Sequence, residues 1–349
     1  MNLTIEAVPV HPRRGGRETA MENGTMRAWV LEEPGRLALR SIAIPEAKDD
    51  QLLVKIDRAC ICNGSDPGIY HGRPAYETPC VFGHEGSGRI VKAGKDAGDF
   101  CVGERVFWWF EMGSFAEYQA ITPSRTAVFR LPESFGRDEA PVMELVMAAC
   151  RALMRRPACE GRRRLLICGL GPSGLVLLQY ARKLGYTHIA GWDLYPARRE
   201  LALRLGADEV FDPRELTPEA IGRMEPADCT ILMYGDDMLP GDTALDLAML
   251  ATRPYGLVVS YGHPEHGARF SPYLFQSRNL TLVPPENDLA VIREEGKQVV
   301  ELAARGEINV TALISHRMPF DALGDVFRDL LEHPDAYGKV VYHWEEETL

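Results

Sequence analysis

One short stretch constrains the fold more than any other. Leu165-Leu166-Ile167-Cys168 is an apolar run, and Gly169-Leu170-Gly171-Pro172-Ser173-Gly174 is a glycine-rich turn. Leu175 to Leu184 follows, with apolar side chains at Leu175, Val176, Leu177, Leu178, Ala181 and Leu184. A short continuous apolar run reads as a strand buried on both faces. The spacing after the turn predicts a helix buried on a broad face, closed by Gly185 at a left-handed cap. Strand, glycine turn and helix in that order build a phosphate cradle. Gly169 permits the tight turn, Gly171 lets a pyrophosphate approach the backbone, and Gly174 lets the helix pack closely on the strand. Pro172 and Ser173 complete the turn, and the helix N-terminus beyond it offers free N–H groups and positive dipole to the phosphates.

The next predicted strand, His188 to Leu194, carries Asp193 near its end. A carboxylate there accepts hydrogen bonds from both hydroxyls of an adenosine ribose and repels a 2′-phosphate, so NAD is favoured over NADP. Arg198 lies shortly after it. An arginine in that place can accommodate a 2′-phosphate, but with Asp193 present it is expected to flank the adenine. The alternation then continues. Strands are predicted at Glu209 to Phe211, Cys229 to Tyr234, Leu257 to Tyr261 and Leu280 to Val283, and helices at Pro196 to Leu205 and Asp242 to Thr252. This is an α/β fold with a doubly wound parallel sheet of about six strands. Ligands of such sheets bind at the carboxyl ends of the strands. Gly262 and His263 are therefore candidate nicotinamide contacts, with His263 equally readable as a loop histidine without a role.

Upstream the pattern changes. Strand-like runs at Met26 to Leu31, Leu52 to Ile56, Gly88 to Val91 and Arg105 to Phe110 are separated by glycine and proline turns, which predicts an irregular, mostly β domain. Within it lie Cys60-Ile61-Cys62-Asn63-Gly64-Ser65-Asp66 and Val81-Phe82-Gly83-His84-Glu85-Gly86. Thiolate, imidazole and carboxylate are ligands that zinc accepts, and a catalytic zinc keeps one position open. Cys60 and Cys62 share one face of an extended strand, so either can bind; the Gly-Ser-Asp that follows favours Cys62.

Gly83-His84-Glu85-Gly86-Ser87-Gly88, Val102-Gly103-Glu104-Arg105-Val106 and Gly169 to Gly174, taken together, resemble the zinc-dependent medium-chain dehydrogenase/reductase family, within it the sorbitol and threonine dehydrogenase branch. The resemblance runs from about Met26 to Trp344 and includes Leu313-Ile314-Ser315-His316-Arg317 and Gly338-Lys339-Val340-Val341. It implies a GroES-like catalytic domain beside a Rossmann domain, one catalytic Zn2+, NAD, and a small alcohol or carbonyl substrate. Cys62 and His84 match the first two zinc ligands. Glu144 falls where the third protein ligand lies, and Glu85 matches an acid that sits behind the zinc or binds it directly. Ser65 matches the hydroxyl that relays the substrate proton. Asp66 matches an acid that holds His84 or a neighbouring ligand. The resemblance also implies a homodimer or homotetramer.

The chain departs from the family in three places. Asn63 reads as a one-residue insertion. Gly68 stands where many members place a relay histidine, which leaves His71 or water as the onward route. The four closely spaced cysteines of a second, structural zinc are missing, so a single zinc is expected. Phe107-Trp108-Trp109-Phe110-Glu111-Met112 occupies that part of the chain. Phe110 and Trp109 are the candidate substrate walls, and filling of the β-domain core is the alternative.

The 349 residues suffice for two domains. The expected division is a disordered extension at 1–25, or an upstream start before Met21 or Met26; a catalytic domain from 26–145 and 289–349; and a nucleotide domain at 146–288. A net charge of −11 argues against nucleic acid or an anionic membrane as partner. No apolar run is long enough to span a bilayer. Eight cysteines without disulfide-framework spacing fit the cytoplasm. These observations point to an NAD-dependent alcohol or polyol dehydrogenase. A zinc-free NAD(P)H-dependent carbonyl or enone reductase and a non-catalytic nucleotide-binding homologue are the alternatives.

Overall fold

The computed structural model describes residues 24–155, 163–234, 244–262 and 271–344. They divide into two compact units: residues up to Leu145 together with those from Val310 onward, and Val146–Asn309. In chain order the first unit contributes β1 (Thr25–Glu33), β2 (Arg36–Ala43), β3 (Leu52–Cys60), β4 (Cys80–Val81), β5 (Glu85–Ala93), β6 (Arg105–Trp109), β7 (Tyr118–Ile121) and β8 (Ala127–Arg130). The second contributes β9 (Arg164–Cys168), β10 (His188–Trp192), β11 (Glu209–Phe211), β12 (Ala227–Leu232), β13 (Thr252–Ser260) and β14 (Thr281–Val283). The chain then supplies β15 (Ile314–Pro319) and β16 (Lys339–His343) to the first unit.

The first unit is the mostly β domain. One sheet runs β15-β16-β3-β5-β6-β8, with β7 also paired to β3, and a smaller one runs β2-β1-β4. On β3, Leu52, Val54 and Ile56 are buried at every second position, as the pleat requires when one face meets the core. They share that core with Ile90, Val106, Trp108 and Phe115, and with Phe327 and Leu330 of the helix Leu323–Glu332. The expected extension at 1–25 lies outside the described residues up to position 23, and β1 begins at Thr25.

The second unit is the doubly wound sheet. Its six strands are all parallel, in the order β11-β10-β9-β12-β13-β14. The order reverses between β9 and β12, so the glycine turn that leaves β9 sits at the switch point where such sheets bind ligands. The helix after it spans Pro172–Lys183 and starts three residues earlier than its apolar pattern suggests, because the fixed φ of Pro172 suits the first turn. β13 starts at Thr252, ahead of the apolar run at Leu257. Of the helix expected at Asp242 to Thr252, Ala244–Ala251 is described and the two positions before it lie outside the described residues.

The sequence places the return to the first unit at Leu289; the chain returns at Val310 instead. The helix Leu289–Ala304 and the turn after it stay in the second unit, fastened to the helix Pro172–Lys183. Gln179 accepts from the Asn309 backbone at 2.7 Å, and Lys183 pairs with Glu307 at 2.9 Å. Among the described residues no helix is long and apolar enough to cross a membrane.

Candidate active site

Strand register assembles the first unit's polar centre. In the antiparallel pair of β3 and β5, Cys60 stands opposite Glu85. Cys62, just past the end of β3, and His84, just before β5, are thereby brought beside each other. The Cys62 sulfur, a His84 ring nitrogen and a Glu85 carboxylate oxygen lie within 4.8 Å of one another. Cys60 is fully buried in the strand, and burial pushes its thiol well up.

The short helix Asp66–Tyr70 completes the surroundings. Ser65 Oγ donates to Cys62 Sγ at 3.0 Å and lies 3.3 Å from His84 Nε2. On the other side of the ring, Asp66 Oδ1 lies 3.2 Å from His84 Nδ1, while its Oδ2 accepts the Cys62 backbone N–H at 2.9 Å. One buried carboxylate thus orients the imidazole and braces the cysteine loop. Such a carboxylate partner fixes which ring nitrogen is free for a metal. Burial alone would disfavour charge on His84, but Asp66 and then Cys62 outweigh it and hold the ring's pKa well above its ordinary value.

Glu85 is wholly buried, and Lys339 Nζ of β16, equally buried, lies 2.5 Å from its Oε2. The same ammonium donates to the Ile61 carbonyl at 2.5 Å. Burial pushes the Glu85 carboxyl up, against the pull of Lys339 and His84. Glu85 Oε1 has no hydrogen-bond partner among the described residues. A thiolate, an imidazole and a carboxylate with an unused oxygen suit zinc. Lys339 had a legible signal, a lone lysine at the head of an apolar strand, but its partner could not be read from that.

Glu144, expected as the third donor, stands outside the triangle among the described residues. It is buried in the first turn of the helix Met143–Cys150, where its Oε1 accepts the Phe110 N–H at 3.2 Å. Burial pushes its carboxyl up to about 7, against the pull of His84 and with the Glu85 charge adding to the rise. Asn63 is accommodated by an amide that donates to the Tyr337 and Gly338 carbonyls at 3.2 and 3.1 Å. The aromatic run divides: Phe107 and Trp108 fill the core, Trp109 is half-buried, and Phe110 is 39% exposed with its ring centroid 4.8 Å from that of His84. Gly68 is buried, and His71 caps the Asp66–Tyr70 helix on the exposed side.

In the second unit the glycine turn has reasons of its own. Gly169 sits at φ 103°, and a Cβ on Gly174 would lie 2.0 Å from the Gly169 carbonyl oxygen. A Cβ on Gly171 would meet only Arg198, at 4.0 Å, so the space over the helix N-terminus is open. Pro172 and Ser173 form the helix's first turn, whose N–H groups lack intrahelical acceptors. Asp193, one residue past β10, accepts from the Leu170 and Tyr195 backbone N–H groups, each at 2.8 Å. The Arg198 guanidinium stacks over the Tyr195 ring at 4.5 Å and lies 3.9 Å from Asp193. At the carboxyl ends of β13 and β14, a cavity of about 480 Å³ is lined by Ser260, Gly262, Val283, Pro285, Asn287 and Arg151. His263 lies outside the described residues.

Residues 48–133 match the family model described as the alcohol dehydrogenase GroES-like domain, and residues 172–305 match that of zinc-binding dehydrogenase. The chain is 28% identical over 272 residues to a sorbitol dehydrogenase of Bombyx mori, covering 67% of this chain and 76% of that one. It is 27% identical over 364 residues to an L-threonine 3-dehydrogenase of Bacillus velezensis, covering 91% and 99%. In fold it resembles galactitol-1-phosphate dehydrogenase from Escherichia coli, with a TM-score of 0.78, 21% identity, and coverage of 91% of this chain and 99% of that one.

Proposed function

The chain belongs to the zinc-binding medium-chain dehydrogenase family of alcohol dehydrogenase type, and from that premise we propose that it transfers hydride between NAD and an alcohol or polyol, or the matching ketone or aldehyde. The observation that carries the site is the convergence of Cys62, His84 and Glu85 within 4.8 Å. We assign these three as the zinc donors, with Glu144 as the neighbouring carboxylate. Bound there, zinc supplies the Lewis acidity that brings a hydroxyl's pKa toward neutrality, and NAD supplies the hydride acceptor.

The chain's own groups do the remaining work. Ser65, whose hydroxyl contacts both Cys62 and His84, relays the substrate's hydroxyl proton: it accepts that proton as it passes its own on to water or toward His71. Asp66 keeps His84 Nε2 turned toward Cys62 by holding Nδ1. Lys339 balances the charge of Glu85, both side chains being buried. In the second unit, the turn from Gly169 to Gly174 receives the pyrophosphate, Asp193 the adenosine ribose, Arg198 the adenine edge, and Gly262 the nicotinamide end. The preference for NAD rests on the Asp193 charge, which repels a 2′-phosphate.

The sorbitol, threonine and galactitol-1-phosphate dehydrogenases similar to this chain support a small hydroxylated substrate. Family likeness supports a homodimer or homotetramer, and the free cysteines among the described residues are in keeping with a cytoplasmic setting.

The test is oxidation of an alcohol and polyol panel with NAD, alongside zinc per chain. Cys62→Ser and His84→Ala should each lower kcat/KM by at least about a thousandfold and leave NADH binding intact. Full activity in both variants would move the assignment to a zinc-free reductase. A folded, zinc-loaded wild type that binds NADH yet oxidises or reduces nothing would leave a non-catalytic binder.

A further inference from the structure

Phe110 occupies an uncommon backbone position beside the zinc donors. Its φ is 45°, in the left-handed region that bulky residues rarely enter. Its ring rests near His84 and is 39% exposed, so it bounds the space that a ligand beside His84 would enter. Three sets of hydrogen bonds fix the segment that carries it. At its start, Thr126 donates its hydroxyl to the Trp109 carbonyl, and Phe110 N–H donates to Glu144. At its end, the Gly113 and Ser114 N–H groups donate to the carbonyl of Gly83, the residue before His84, at 2.7 and 3.0 Å.

Between these points one side chain holds the two carbonyls that follow Phe110. Gln119 Nε2 donates to Glu111 O at 3.1 Å and to Met112 O at 2.9 Å. Gln119 stands on β7 opposite Val54 of β3 and is 5% exposed, so its amide projects from a rigid base. A primary amide has two N–H groups and can fork to two carbonyls. Its Oε1 has no hydrogen-bond partner among the described residues. Burying a half-satisfied amide is unfavourable, and an apolar side chain would pack there at less cost. What the amide adds over such a side chain is the fork.

We propose that Gln119 is a positioning residue for substrate size: by holding the carbonyls of Glu111 and Met112 it keeps Phe110 in its left-handed turn over His84, and so narrows the room for the carbon chain of the alcohol. This rests on the dehydrogenase reading above. Gln119 touches no reacting atom; it acts through Phe110.

Gln119→Leu, Phe110→Ala and the double variant test the idea, using kcat/KM for ethanol and for cyclohexanol, zinc per chain and NADH affinity. Gln119→Leu should shift the ratio toward cyclohexanol by about tenfold, mainly through a lower cyclohexanol KM. Zinc content and NADH affinity should stay within about twofold. Phe110→Ala should shift the ratio the same way, and the double variant should match Phe110→Ala alone, since residues acting through one another are not additive. An unchanged ratio in a zinc-loaded Gln119→Leu protein, or a double variant equal to the product of the singles, overturns the proposal. Gln119→Met, closer in length and volume, serves where the leucine variant does not fold. If the wild type turns over neither alcohol, the ratio is read between a small and a bulky member of the alcohol and polyol panel that it does turn over, and turnover of none of the panel fails the dehydrogenase reading separately. A crystal structure of Gln119→Leu then decides the clamp: Phe110 leaving the left-handed region supports it, and Phe110 unmoved over His84 overturns it.

Discussion

Two carboxylates in this chain meet opposite surroundings, and each makes a separate prediction. Asp193 is nearly buried but accepts two backbone N–H groups. A carboxylate offers about four lone-pair directions, so it can serve the turn and a ribose together. Asp193→Ala should weaken NADH binding by about tenfold or more and reduce discrimination against NADPH, read by fluorescence titration with both nucleotides. An unchanged preference would remove Asp193 from the ribose site. Glu111 is desolvated instead: its Oε2 is buried without a partner among the described residues, and burial pushes its carboxyl from 4.5 up to about 7, against the Thr122 backbone and Arg125. The folded chain therefore holds that proton more tightly than the unfolded chain does. The resulting stability is present in full below about pH 4.5, falls as pH rises, and is gone above about pH 7. Its size is up to about 3 kcal/mol. Glu111→Gln should flatten the dependence over that window, seen as a smaller loss of Tm between pH 5 and pH 7 than in the wild type (roughly several degrees). Parallel curves for the two proteins would contradict the shift.

Elements differ in how far they can be read ahead of the structure, and the reason is whether their constraint is local. The turn after β9 is local: the run from Gly169 to Gly174 states the φ and the close approach that only glycine permits. Gly174→Ala tests this directly, because the new Cβ would fall 2.0 Å from a backbone oxygen that cannot swing aside. It should cost about 1–3 kcal/mol and abolish NADH binding, and a variant that still binds NADH at wild-type affinity would show the turn to be slack. The residue types of the polar centre were legible for the same reason, since Cys62, His84 and Glu85 lie in short motifs. Which carboxylate lies within reach of the cysteine and histidine was not. That depends on the pairing of Cys60 with Glu85 across β3 and β5, and on Phe110 engaging Glu144. Neither contact leaves a trace in residue spacing. Phe110 at φ 45° is a further case, because its strain, of order 1–3 kcal/mol, is sustained by side chains distant in sequence.

At the scale of the whole chain, alternation of strand and helix was enough to specify the parallel sheet, because each βαβ connection is nearly complete in itself. The β-rich unit was legible only as a class. Its strands pair across long separations, and apolar alternation does not say which strand meets which. The return at Val310 was missed because the helix Leu289–Ala304 is amphipathic and would suit either unit; the contacts of Gln179 and Lys183 with the segment after it are what place it. Lys339 has a consequence for the growing polypeptide. Its ammonium meets the Ile61 carbonyl across 278 residues and neutralises Glu85. At ribosomal speeds of about 5–20 residues per second, the cysteine of the centre waits roughly 14–55 seconds for that lysine. In the nascent chain Glu85 lacks its lysine, so enclosing it between β3 and β5 calls for a proton, a borrowed cation or water until β16 has been made. The second unit, whose strands are all made before that moment, is free to fold first.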